Sequence, residues 1–300
     1  MWSGHKRNQG IYRPQDAGRL TGLNNISQGL GLELVGYGKA EALKVQNESE
    51  GDYNNSQSLD GGLDVNYNIT PGLKASLTVN TDFAETEVDD RQINLTRFPI
   101  RFPEKRDFFL EGANIFRFAP SSGVYPYFSR KIGLRSGNPI PILYGGRVIG
   151  KIGKVEVAAQ QVKTRETDNF SSEEFSVIRL KQNFLKESSI GVLYTRRHTN
   201  KGKQFVPPLQ DRNTLGIDLT LNTSTFLKNQ NLQFQAFAVI HNPELPGEIN
   251  NNIWDRSARG LRFNFPNDPW SGSLSYSCLL YTSDAADEGL GVDLGGRRII

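Results

Sequence analysis

Between Gly62 and Asn80 apolar and polar residues alternate with a period of two. Leu63, Val65, Tyr67 and Ile69 fall on one side, and Asp64, Asn66 and Asn68 on the other. Successive side chains of a strand point to opposite faces of a sheet, so this spacing predicts a strand with one apolar and one polar face. Thr70-Pro71-Gly72 interrupts it with tight-turn chemistry, Pro fixing φ and Gly accepting positive φ. The alternation then resumes with Leu73, Ala75, Leu77 and Val79 against Lys74, Ser76 and Thr78, which completes a β-hairpin. Similar faces recur at Ile190, Val192 and Tyr194, at Leu215, Ile217, Leu219 and Leu221, at Leu232, Phe234, Ala236, Ala238 and Ile240, and at Arg259, Leu261, Phe263 and Phe265. Leu32 to Leu43 and Glu174 to Phe184 are further strands, and Ile142 to Gly150 with Val155 to Thr164 forms a hairpin. No amphipathic helix interrupts the series, so consecutive antiparallel pairing is expected.

The polar stretches Asn47 to Gly61, Thr199 to Asn213 and Asn242 to Asp255 read as solvated loops. Short turns alternating with long loops are what outer-membrane barrels show. Asp82 to Arg130 breaks the rhythm. An acidic run (Glu85, Glu87, Asp89, Asp90) precedes a dense group of rings at Phe98, Phe102, Phe108, Phe109, Phe116, Phe118, Tyr125, Tyr127 and Phe128. A solvated loop does not carry so many rings. The expectation is an ordered, irregular insert packed on a wall of strands, with its charges paired wherever they are buried.

Composition narrows the choice. Apolar residues make up 37% of the 300, low for one large dry core and suited to strands with a single apolar face. No apolar run reaches the ~18 residues of a membrane helix, so only a closed barrel could span a bilayer. A net charge of +3 gives no case for a nucleic-acid partner. One cysteine, Cys278, permits neither a disulfide framework nor a cysteine metal site. Trp2-Ser3-Gly4-His5-Lys6-Arg7 holds no apolar signal core, so an exported protein would have its true start elsewhere. Residues 278–300 resemble translated sequencing-adapter read-through and are set apart from the β domain of residues 1–277.

Candidate chemistry is thin. The acids Asp82, Glu85, Glu87, Asp89 and Asp90 could offer oxygens to Ca²⁺, but their spacing is not that of an EF-hand loop. Pairing with Arg91, Arg97, Arg101 and Arg106 accounts for them better. Glu104 and Glu111 could serve as a hydrolase acid and base only if a cleft brought them together. His5, His198 and His241 follow no ligand spacing and adjoin no nucleophile motif. Gly145, Gly146, Gly150 and Gly153 lack the ending of a phosphate loop and suit close strand packing. No catalytic, cofactor or metal site is expected. Tyr37, Tyr67, Tyr144, Tyr194 and Trp254 are candidates for an interfacial ring of aromatics.

Three blocks carry a family resemblance: Asn80 to Phe98, N-T-D-F-A-E-T-E-V-D-D-R-Q-I-N-L-T-R-F; Phe102 to Gly112, F-P-E-K-R-D-F-F-L-E-G; and Phe128 to Gly133, F-S-R-K-I-G, followed by Gly145 to Gly153. Together they resemble the bacterial family of domain of unknown function 5916. Thr81, Asp107 and Lys131 depart from its pattern. The resemblance, over roughly Arg13 to Tyr276, implies a large outer-membrane β-barrel, commonly fused to a family-nine-like carbohydrate-binding module that this chain does not contain. It singles out Asp82, Arg97, Phe102, Pro103, Glu104, Lys105, Arg106, Phe108, Phe109, Glu111, Gly112 and Arg130 as the motif residues.

The sequence therefore predicts an all-β, antiparallel outer-membrane-type β-barrel, present as an incomplete fragment, with an irregular insert over about residues 82–130. The expected role is non-enzymatic, in the bacterial outer membrane, with lipid as partner and a glycan as candidate ligand through the family's usual module. A fragment with unpaired sheet edges is expected not to form a stable barrel alone in detergent, and its gel migration with and without heating checks this. Two alternatives stay open. A soluble or secreted β-sandwich, carbohydrate-binding, would bury the apolar faces against each other across ~10 Å. A carbohydrate-active enzyme would place two carboxylates ~5–9.5 Å apart in a cleft.

Overall fold

The computed structural model describes residues 21–22, 29–46, 53–80, 102–120, 122–135, 138–168, 170–200, 211–243, 253–279 and 293–294. Among these residues eleven strands form one sheet, and each strand lies beside its neighbour in the chain. They are β1 (Leu32–Gln46), β2 (Tyr53–Thr70), β3 (Leu73–Val79), β4 (Ile142–Ile152), β5 (Val155–Thr164), β6 (Glu173–Phe184), β7 (Ser188–Thr199), β8 (Arg212–Phe226), β9 (Gln230–Pro243), β10 (Ser257–Pro266) and β11 (Ser271–Leu279). Every neighbouring pair is antiparallel. The all-β antiparallel class matches the sequence reading. The sheet is open among the described residues, because β1 pairs with β2 alone and β11 with β10 alone. Among the described residues helix is confined to single turns, and no helix is long and apolar enough to cross a membrane.

The connections divide by end. Turns of two to four residues join β2 to β3, β4 to β5, β6 to β7, β8 to β9 and β10 to β11 at one end, and longer connections occupy the other. The predicted loop Asn47 to Gly61 needs correction, since Tyr53 to Gly61 belongs to β2 and pairs with β1 up to Tyr53 opposite Gln46. Its polar side chains concealed a strand because ladder hydrogen bonds join backbone groups and do not require apolar side chains. β11 reaches Leu279, so its last two residues fall inside the stretch set aside as a tail. Asp293–Leu294 bridges Leu294 to Val124 and Asp293 to Tyr125.

The faces are sorted in an unusual way. On β6 to β8 the clean apolar face is bare: Ile178, Leu180, Ile190, Val192, Leu215 and Ile217 are all exposed. The opposite face buries Phe175, Val177 and Leu193 together with Glu173, Arg179, Thr195, Thr214 and Asp218. The same sorting reaches Leu63 and Leu77, which are 44% and 49% exposed, and Ile217 at 48%. A sandwich would bury those three in a shared centre, and among the described residues no second layer covers them.

What covers the buried face is the excursion between β3 and β4. Two clusters of side chains fix it there. Phe116, Phe118, Ala119 and Val124 pack with Ile149, Ala158, Val177, Leu193, Val239 and Ala258. Phe108, Phe109 and Ile132 pack with Ile142, Val162 and Phe175. Register places Ile149, Ala158, Arg179, Leu193, Gly216, Val239 and Ala258 in one cross-strand row over seven strands. Arg179 is the charged member of that row.

Candidate functional site

The insert is held by charged groups of two origins. One network lies within it. Glu104 accepts from the Arg106 side chain at 2.8 Å through both carboxylate oxygens, from the backbone N–H groups of Lys105 and Arg106, and from the Ser129 hydroxyl at 2.6 Å. Arg106 also donates to the carbonyls of Ile132 and Ser129, each at 2.7 Å, and its guanidinium lies 4.1 Å from the centre of the Phe109 ring. F-P-E-K-R is thus a clasp that ties the start of the described insert to a 3-10 turn, Ser129–Lys131, near its end. Burial works against the charge on Glu104, but the hydrogen bonds and charge of Arg106, with the Ser129 hydroxyl, outweigh it and hold the carboxyl below its ordinary value. Burial dominates at Tyr127 and raises its phenol well above the usual range.

The second set of groups comes from the sheet. Arg147 on β4 donates to the carbonyls of Phe108 and Glu111 and pairs with the Glu111 carboxylate at 3.0 Å, while Lys74 on β3 reaches the same carboxylate at 2.8 Å. Gln160 on β5 donates to the Tyr127 hydroxyl at 2.9 Å. Arg179 on β6 and Asp218 on β8 form a bidentate pair at 2.5 and 2.9 Å with both side chains nearly inaccessible. β7 lies between them, and Arg179 passes over it at Gly191, where a Cβ would stand 2.6 Å from the guanidinium. The pair also grips the insert backbone, since Arg179 donates to the Arg117 carbonyl and Asp218 accepts from the Ala119 N–H, both at 3.3 Å. A buried charge without such partners would cost several kcal/mol (about 3–5 when one partner is removed). Arg197 and Glu173 make a similar pair at 2.6 Å beside the Phe175 ring.

The predicted motif residues separate into three groups. Asp82 and Arg97, with the other acids and arginines proposed as their partners up to Arg101, lie outside the described residues. Glu104, Arg106, Phe108, Phe109, Glu111, Gly112 and Arg130 come together on the inner face: both phenylalanines, Arg106 and Arg130 are buried, and Glu111 is exposed at its rim. Gly112 takes φ +68° with the Ile149 side chain 2.6 Å from where a Cβ would stand, so both conformation and space call for glycine. Pro103 is exposed, and Phe102 and Lys105 are half-buried. Glu104 and Glu111 are each tied to their own arginine. Among the described residues no three His, Cys, Asp or Glu side chains gather as a metal site would require.

Sequence reasoning missed Arg147, Arg179, Asp218, Arg197 and Glu173, which supply the grip from the sheet. The available signal was charge at inward positions of strands whose neighbours on that face are apolar, as at Arg179 beside Phe175 and Val177. Within the insert a cavity of about 210 Å³ is lined by Phe109, Phe116, Phe118, Tyr127 and Phe128, with Glu104 at its wall.

Comparison with curated proteins gave no match, and comparison with solved structures gave none either. A family match covers residues 31–142, described as Domain of unknown function (DUF5916). That span takes in β1 to β3 and the whole excursion and stops at the first residue of β4, short of the glycine-rich block at Gly145. Over residues 31–142 this chain is similar to the DUF5916 family.

Proposed function

We propose that this protein is a non-enzymatic β-barrel wall of the bacterial outer membrane, with its bare face toward lipid and its insert lying inside as a partial plug. The carrying observation is the inverted sorting of the strands. Ile178, Leu180, Val192, Leu215, Ile217, Leu261 and Phe263 are exposed on one face, while Arg147, Arg179, Glu173, Arg197 and Asp218 are buried on the other. In water such a fold would hide its oily side and wet its charges. Lipid reverses the preference for the outward side chains and leaves the lumen polar. Ten of the eleven strands have nine residues or more, the ~9–11 a tilted transmembrane strand needs. The separation of short turns from long connections also agrees with a barrel.

The role is binding or passage without chemistry. The ring-lined cavity of the insert is the candidate ligand site, and a sugar, whose C–H faces stack on aromatic rings, is the candidate ligand. The test is depth-resolved fluorescence quenching of the full-length protein in vesicles of brominated lipid. Tryptophan introduced singly as Ile217→Trp or Leu261→Trp should be strongly quenched, and Thr214→Trp, on the inward face, should not. Equal, weak quenching at all three would sink the membrane assignment.

A further inference from the structure

We propose that the opening between β11 and β1 is filled by an odd number of amphipathic β-strands from the protein's own chain outside these eleven, and not by direct pairing of β11 with β1 or by a second copy of this sheet. The inference rests on the barrel reading above. It follows from strand direction. The eleven strands make ten neighbouring pairs, all antiparallel. Ten reversals restore the starting direction, so β1 and β11 both run from the short-turn end toward the long-connection end. Rolled into a cylinder, the sheet would meet itself along a parallel seam, unlike every other pair in it. Bacterial single-chain barrels close with an even number of antiparallel strands, and eleven becomes even only by adding an odd number.

A second copy does not resolve the mismatch. Copies inserted into one membrane share an orientation, so β11 of one would meet β1 of the next in parallel again. The filler must run opposite to both edges, and the edges specify its character. β11 presents Leu274 and Tyr276 on the apolar face and Ser273, Ser275 and Ser277 on the other, with residues 271–277 all exposed. β1 presents Leu32 and Leu34 on the apolar face, and on the other Glu33 and Lys39 flank Val35 and Tyr37. The two-faced pattern is clean on β11 and weaker on β1, whose outward face still continues that of β2 at Leu32 and Leu34. β11 holds no charged residue and no proline, the usual guards of an edge exposed to water. It is left as a template for another strand. Every strand of this sheet pairs with its neighbour in the chain, so the filler is assigned to the same chain.

The test uses full-length protein folded in detergent or vesicles, with Cys278→Ser as background and Leu274→Cys combined in turn with Leu34→Cys, Gly36→Cys and Gly38→Cys. Adjacent strands lie about 4.8 Å apart and strands with one between them about 10 Å, beyond the roughly 7 Å that a disulfide spans. Heat-modifiable migration identifies the double variants that fold. In parallel, amide hydrogen exchange is followed on β1 and β11 of the unaltered protein, and a photo-cross-linking residue is placed at Ser275. The expected result is no disulfide at any pairing, slow exchange on both edge strands, and a cross-link to a peptide of the same chain outside residues 31–279. A disulfide within one copy would overturn the proposal by revealing a parallel seam, while leaving the barrel reading intact. A disulfide between copies, or a cross-link to another protein, would overturn the own-chain assignment. Fast exchange on both β1 and β11 would mean that the sheet stays open, and the barrel reading would fall with the proposal.

Discussion

The two faces of β6, β7 and β8 are made by the same residues in alternation, yet they have opposite surroundings. Outward, Val192 stands beside Leu180 and Ile217 in an aliphatic row that nothing among the described residues covers. Inward, Leu193 stands beside Arg179 and Gly216 beneath a layer of rings and backbone from the insert. The outer row needs only apolar character and tolerates rearrangement. The inner row depends on particular partners, because a buried charge is stable only while its counter-charge and hydrogen bonds stay in place. Specific sequence therefore belongs on the inner face, and generic hydrophobicity is enough on the outer one.

The largest break in that contrast is expected at Asp218. Asp218→Ala strands Arg179 in the interior and should cost about 3–5 kcal/mol. A lowered urea midpoint and new tryptic cleavage within the insert are the readouts. Replacing both partners with apolar residues (Arg179→Met with Asp218→Leu) should restore most of the loss, and a double variant as weak as the single one would show that the ion pair is not the cause. Next comes Ile217→Arg on the outer face. In a bilayer it should cost about 2–4 kcal/mol near the midplane, whereas on a water-facing surface the change should stay within about 0.5 kcal/mol. Refolding yields into vesicles compared with detergent separate the two. Gly191→Val would push the Arg179 guanidinium away from Asp218, an overpacking cost of about 1–3 kcal/mol. Unfolding midpoints measure it, and Gly36→Val on bare β1, where a Cβ meets nothing within 4 Å, is the control.

A smaller effect is expected from acid. The Glu104 carboxyl is held below its ordinary value of 4.5, so its stabilising contribution is complete above that pH and disappears as pH falls through the lower value of the folded state. Proteolytic release of the insert should rise on acidification below about pH 4.5, and Glu104→Gln should remove that pH dependence. The smallest is Glu174→Gln, which breaks the pair with Lys163 at 2.9 Å. Both side chains are partly exposed there, so the change should stay at about 0.2–1 kcal/mol, with added salt reducing it further.

Legibility followed side-chain periodicity. Leu73 to Val79 and Leu215 to Leu221 declared their strands, because alternation is a local property that survives without knowledge of neighbours. Tyr53 to Gly61 did not, since its ladder with β1 is made by backbone and leaves no mark on side-chain type. The rings and charges of the insert announced an ordered, packed segment. Their partners did not show: Glu104 and Arg106 are two residues apart, but Arg179 and Asp218 are separated by 39 positions and meet only because register carries one past Gly191 to the other.

The sequence by itself determined the antiparallel strands, their two-sided character and the family motif, since each is written in spacing along the chain. The tertiary structure alone decided which side would be covered, which charges would pair, and that the edge strands point the same way. Those outcomes depend on how strands far apart in the chain are brought into register, and no local pattern encodes that.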